Sequence, residues 1–212
     1  MITVIDSKQS LLAMLQRAVK LDEQCAVRAR NFPAPTPTVE VFVTTPFEVF
    51  AARRCQGSAQ PDQVVVAARA LAEKLASTVE EAAPTMLAAG GAALWPGALP
   101  PVEGFSWVDD VPVSVLRELA NQGAAAAQEV KSVGVPTSLL NQTVLTVDGV
   151  EIGMRLVWAA RQLGFLPLEG AQLPAAATTA RVSAAGSWVR VDTWLGSVYQ
   201  RSGGPLSLTP LG

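Results

Sequence analysis

The chain contains no histidine. That absence removes Ser-His-Asp and Cys-His nucleophilic catalysis, the common zinc and haem ligand sets, and imidazole acid–base chemistry near neutral pH. Cysteine is almost as scarce, with only Cys25 and Cys55 present and far apart in the chain. Two isolated thiolates would need carboxylates alone to complete a zinc site, so no metal centre is expected. They read instead as small buried hydrophobes of a reducing compartment rather than as a disulfide. There are four lysines and one tyrosine, and nothing in their placement suggests a histidine-free active site. Phosphate loops and dinucleotide fingerprints are missing too, because Gly90-Gly91 and Gly203-Gly204 lack the strand-to-helix context such loops need. Adjacent carboxylates include Glu80-Glu81 and Asp109-Asp110. The first pair reads as solvated and the second as helix-capping. No catalytic residue and no cofactor are expected, and an enzyme is not the favoured class.

Charge is the next shortage. Charged residues make up 16% of the chain with a net of −2, whereas proteins that live by neutralising phosphates usually carry a basic excess. Nucleic acid is therefore disfavoured as the main partner, although a local basic patch can hide in a neutral total. Half of the residues are apolar, ample for a core, and 212 residues suffice for one domain or for two small halves sharing one. The N-terminal "MITVIDSKQSLLAML" places an acid and a lysine before any apolar run, unlike a signal peptide, so a soluble cytoplasmic protein is expected. The longest uncharged run, Ala82 to Val102, carries four prolines and three glycines, which exclude a membrane span and read as linker.

What is present is a succession of short periodic segments. Leu11, Leu12, Leu15, Ala18 and Val19 recur at helical spacing after Asp6 or Ser7 as N-cap. "CAVRAR" alternates as a strand does, and "FPAPTPT" connects it to a hairpin from Val39 through Pro46 to about Arg54. An alanine-rich helix is expected from Asp62 to about Ala83. Residues 1–83 thus form an α-β-β-β-α unit, 84–110 a Pro/Gly-rich linker, and 111–212 a second α+β unit ending in three strands. Within the second unit Asp110 caps a helix from about Val111 to Val130, and Asp148-Gly149 turns a hairpin. "MRLVWAARQLGFL" is a helix ending at Gly164, followed by strands near Ala180–Ala184, Trp188–Thr193 and Ser197–Arg201.

Two pieces resemble each other. "VFVTTPFEVFAAR" (Val41 to Arg53) lies over "VRVDTWLGSVYQR" (Val189 to Arg201), with one extra residue in the second turn placing Phe50 over Tyr199. Upstream, Leu12–Leu21 lies over Met154–Leu163, so helix–strand–strand–strand is written twice. Duplication and two unrelated hairpins obeying the same alternation remain equal readings.

Strand parity then divides the side chains. With the valines against the helices, the opposite faces carry Arg28, Arg30, Phe42, Phe50 and Arg54 in the first unit. Those of the second carry Trp188, Arg190, Tyr199 and Arg201. Aromatic and arginine side chains are enriched in binding surfaces, which makes these nine the candidate binding residues. Cross-strand pairing on a solvated sheet, Arg28 or Arg30 with Glu40 for instance, explains the same pattern without a partner.

The C-terminal run "LGFLPLEG…SWVRVDTWLGSVYQRSGGPLSLTPL" resembles the end of proteins of unknown function found in actinobacteria, a resemblance that implies no activity. The N-terminal order helix–three strands–helix is similar to secretion chaperones of α+β fold, from which the central segment and second strand set depart. The expected fold is α+β, antiparallel with helices on one face. The expected function is a non-enzymatic interaction protein, self-associating or binding a protein partner through the aromatic and arginine face. Two further readings stand beside it: a small-molecule binder or enzyme with its pocket between the halves, and DNA binding through the Met154 helix.

Overall fold

The computed structural model describes residues 1–81, 83–89, 93–129, 135–172 and 174–201. Its twelve strands and five α-helices follow the chain as β1 (Ile2–Val4), α1 (Lys8–Leu21), β2 (Ala26–Phe32), β3 (Thr38–Thr44), β4 (Phe50–Ala59), β5 (Val64–Ala67), α2 (Ala68–Thr78) and β6 (Thr85–Leu87). The second half adds β7 (Ser106–Pro112), α3 (Val113–Glu129), α4 (Thr137–Leu140), β8 (Thr143–Val147), β9 (Val150–Gly153), α5 (Met154–Gln162), β10 (Thr179–Ala185), β11 (Trp188–Thr193) and β12 (Gly196–Arg201). The fold is α+β, as the alternation of helical and strand periods implied.

One antiparallel sheet runs through both halves in the order β5-β2-β3-β4-β12-β11-β10-β7, with β1 added on β4 and β6 on β1. Outward from the junction the two sides match. β4, β3 and β2 are preceded by α1, as β12, β11 and β10 are by α5, and the outermost strands β5 and β7 lead directly into α2 and α3. At the junction Tyr199 sits opposite Phe50, and Val198 opposite Ala51. Phe50 and Tyr199 are also the residues that superpose when the two hairpin sequences are laid over each other. Equivalent residues face one another across an antiparallel pair only where a two-fold axis passes between them, so the internal repeat is organised about the β4–β12 junction.

Parity works as expected on the inner face. Val27, Ala29, Val39, Val41, Val43 and Ala51 join Val182, Val189, Val191 and Val198 in one core with Leu11, Leu15, Leu71, Leu75, Leu116, Leu156 and Val157 of the helices. Burying such side chains contributes on the order of 1.5–3 kcal/mol each, so this layer carries most of the stability. The Asp148-Gly149 turn has φ of 43° and 77°, the positive values a two-residue hairpin of this type requires. Gly164 ends α5 at φ +74°.

Several boundaries differ from the sequence reading, each for a local reason. Val64–Val66, expected in a helix, form β5, because three β-branched residues in a row favour a strand and β2 offers an edge. Asp62 caps no helix and instead accepts a hydrogen bond from the Asn31 amide at 2.7 Å. α2 ends at Thr78, where the buried Lys8 ammonium donates to the carbonyls of Thr78 (3.2 Å), Glu81 (2.8 Å) and Ala83 (2.6 Å). A cation at that position neutralises the negative end of the helix. Asp109 and Asp110 belong to β7 rather than to a helix cap, with Asp110 paired in register to Arg181. β1 and β6 are three residues each, too short for alternation to mark them in the sequence. β1 fits because Gly57 admits it: a Cβ there would lie 2.0 Å from the Thr3 carbonyl oxygen. The expected extended tail falls in 202–212, outside the described residues. No described helix is long and apolar enough to cross a membrane.

Candidate functional site

All nine sequence-selected residues do lie on strands β2, β3, β4, β11 and β12, but they do not form an open surface. The segment following Ala93 runs back across this face of the sheet. Phe42, Ala52 and Tyr199 are buried as a second small core, packed with Phe50 and Trp188 from the strands and with Trp95, Leu99 and Phe105 from the crossing segment. Phe50 sits 4.8 Å from Trp95 and 6.1 Å from Trp188, centroid to centroid. Tyr199 contacts Phe42 at 5.4 Å and Phe105 at 6.1 Å. The strand side chains come from both halves, so the segment staples the β4–β12 junction.

The polar members of the face are consumed in the same way. Glu40, only 1% exposed, accepts from Arg30 Nε (3.0 Å) and Nη2 (2.6 Å) through Oε2. Its Oε1 accepts from Arg54 Nε (3.0 Å) and from the Tyr199 hydroxyl (3.1 Å). Arg30 also donates to the Pro100 carbonyl, and Arg28 to the Gly97 carbonyl and the Gln63 side chain. Arg190 stands 4.4 Å over the Phe105 ring with its guanidinium 2.7 Å from the Asp192 carboxylate, an ion pair without good hydrogen-bond alignment. Burial first, and the Glu40 carboxylate second, push the Tyr199 phenol well above its usual range. Of the nine residues, Arg54 and Arg201 remain exposed. Cross-strand pairing of Arg30 with Glu40 is the geometry found. The missed signal was the aromatic content of the linker itself: Trp95 and Phe105 in a Pro/Gly-rich stretch need somewhere to bury.

A DNA-reading α5 is not present among the described residues. Met154, Leu156, Val157, Trp158, Ala159 and Ala160 are all buried, so α5 has no face to enter a DNA groove. Its apolar spacing belongs to the core. The halves are joined by a hydrogen-bonded strand pair; a cleft of about 870 Å³ lies beside β8–β9, and a smaller one of about 220 Å³ opens between α1 and the end of α5. Burial raises the Cys25 thiol to about 11 and the Cys55 thiol to about 12, so neither is a thiolate nucleophile at neutral pH.

Charge segregation gives the helical layer a different character. α1, α2, α3 and α5 contain eight Lys or Arg against three Asp or Glu, while the rest of the chain holds eight against fifteen. Gln9, Gln16, Arg17 and Lys20 of α1 are exposed, with Arg69, Glu73 and Lys74 of α2 and Glu118, Asn121, Gln122 and Gln128 of α3. Among the exposed, described side chains of these helices Arg17, Lys20, Arg69 and Lys74 stand against Glu73 and Glu118, so a near-neutral total hides a modest positive bias on one side. The sequence signal was available: it required counting charge by element rather than over the chain.

This fold is similar to that of bacterial DNA polymerase sliding clamps. Similar solved structures include a putative DNA polymerase III beta subunit from Eubacterium rectale (TM-score 0.56, 10% identity, 98% of this chain and 67% of that one). Caulobacter crescentus pol III beta (TM-score 0.53, 13% identity, 94% and 64%) is another. So is the DNA polymerase sliding clamp of Pseudomonas aeruginosa (TM-score 0.51, 14% identity, 98% and 66%). The chain therefore spans about two thirds of the length of these clamps. Residues 100–205 match the family described as "Domain of unknown function (DUF8185)", and the chain belongs to that family. Residues 3–97 match a second, "Domain of unknown function (DUF8010)". No curated protein matches the sequence. The clamp likeness overturns the expectation of an interaction protein working through its aromatic face.

Proposed function

We propose that this protein is a clamp-like, DNA-associated protein whose helical layer faces the duplex. The observation that carries this reading is the basic bias of the four long helices on a fold similar to that of DNA polymerase sliding clamps. Lys20 and Lys74 supply mobile charge, and the amides of Gln9, Gln16 and Gln122 supply neutral donors and acceptors. Such a surface binds the phosphate backbone without reading bases. The protein is soluble and cytoplasmic in this reading.

The sheet supports a protein partner or a second copy. β5 and β7 end the strand order, each with one edge unpaired among the described residues, and Trp107 of β7 is 61% exposed. Unpaired edges accept a further strand by main-chain hydrogen bonding. This contact lies at the sheet ends, away from the covered aromatic face.

The test is fluorescence anisotropy of a labelled duplex at several salt concentrations, for the native protein and for Lys20→Glu with Lys74→Glu. Steeply salt-dependent binding, weakened alike for unrelated sequences by the charge reversals, is expected. Absence of binding at low salt, or binding indifferent to both reversals, refutes the reading.

A further inference from the structure

On the helical side of the β4–β12 junction a small cavity of about 220 Å³ opens between α1 and the end of α5. Its walls are Ser10, Ala13, Met14 and Arg17 of α1, Leu163, Gly164 and Phe165 after α5, Arg53 of β4, and Leu195 of the β11–β12 turn. Arg53 lies two residues from Ala51 on the same strand, so it rises from the sheet on the helix-facing side. Two guanidinium groups therefore meet one cavity, and no carboxylate lines it.

Neither arginine forms a salt bridge among the described residues. Each is aimed by a single carbonyl. Arg17 Nη1 donates to Leu163 O at 3.2 Å, and Arg53 Nη1 donates to Leu195 O. A guanidinium has five N–H donors, so most of the fork on each side chain is uncommitted. Arg17 is held close by Gly164, where a Cβ would approach its Nη1 to 2.3 Å. Burial lowers the Arg53 pKa, the mark of a cation removed from water without a counter-ion. Capping the α5 C-terminus accounts for Arg17 alone. It leaves Arg53, a half-buried cation on a neighbouring strand, without a reason to share the cavity.

We propose that Arg17 and Arg53 form a seat for one phosphate group, and that the group it takes is a backbone phosphate of the duplex lying on the helical layer. The inference rests on the DNA-facing reading and adds a fixed point to it. Lys20 and Lys74 attract the duplex diffusely, whereas two pre-aimed guanidinium forks hold a phosphate by charge-assisted, geometrically defined bonds.

The experiment uses the full chain and the same labelled duplex, with Arg17→Gln, Arg53→Gln and Ala13→Glu. The last variant places a carboxylate in the cavity from a half-exposed position, so it tests the seat even if Arg53→Gln folds poorly. Circular dichroism and the thermal midpoint report folding. Each variant is expected to weaken duplex binding by roughly tenfold to a hundredfold, the loss of a charged hydrogen bond. In a competition arm at matched ionic strength, sodium phosphate should displace duplex from the native protein more effectively than chloride does. Native binding that depends on Lys20 and Lys74 but is unchanged in Ala13→Glu and Arg17→Gln overturns the seat and leaves the wider reading standing. Equal displacement by phosphate and chloride also overturns it. No duplex binding by the native protein removes both.

Discussion

Replacing Glu40 by Gln isolates the electrostatic cost of the covered face. The carboxylate is 1% exposed, and its two cationic partners differ sharply: the Arg30 side chain is 6% exposed and Arg54 is 42% exposed. Glutamine keeps the volume and one acceptor oxygen but removes the charge that offsets Arg30. A buried cation left without its counter-charge costs about 3–5 kcal/mol. Arg54→Ala removes a partner that water already screens, so it should cost under about 1 kcal/mol. Tyr199→Phe deletes one hydrogen bond to a charged acceptor and should cost about 1.5–3 kcal/mol. Against a total stability of about 5–15 kcal/mol, only the first change threatens the fold. Urea titration followed by circular dichroism gives all three, with similar m values if the unfolded states are alike. Pairing Arg30→Met with Glu40→Met should recover much of the loss seen with Glu40→Met alone, because it removes the stranded charge. A Glu40→Gln cost below that of Arg54→Ala, or a double variant worse than the single by the full cost of Arg30→Met, would refute the reasoning.

Trp95→Ala should cost about 2–4 kcal/mol by unseating the crossing segment from Phe50, and hydrogen exchange of residues 93–105 should rise more than that of β4 or β12. Gly57→Ala forces a Cβ onto the Thr3 carbonyl, so β1 should detach, seen as faster exchange at Ile2–Val4 with the central sheet intact. The thiols add a pH dependence. Their folded pKa values, raised to about 11 and about 12, exceed the usual thiol value, so the unfolded chain loses protons first as pH rises. Stability should therefore be unaffected below about pH 8 and fall from there through about pH 12, with a shallower fall in Cys55→Ala; an unchanged slope in that variant would contradict the assignment.

The chain's local alphabet was enough for much of the architecture. Valines at alternate positions in Val39–Val43 and Val189–Val191 could bury only one side, and Leu11, Leu15 and Ala18 could bury only one helical stripe. The repeated α1–β2–β3–β4 pattern follows from those periods and the turn at Asp148-Gly149 from its dipeptide, whereas β1, β5 and β6 were not marked by either. What sits on the far side of the sheet was not a local matter. Parity says that Phe42, Tyr199 and Trp188 share a face but not whether water or chain covers it. That was decided by the path of residues 93–105 and by the carbonyl of Pro100 reaching Arg30. The meeting of Arg17 with Arg53, like the pairing of β4 with β12, joins residues far apart in sequence, and no period in a single chain encodes a distance of that kind. Local spacing sets which side of an element is apolar; only packing sets what that side, and the one behind it, will touch.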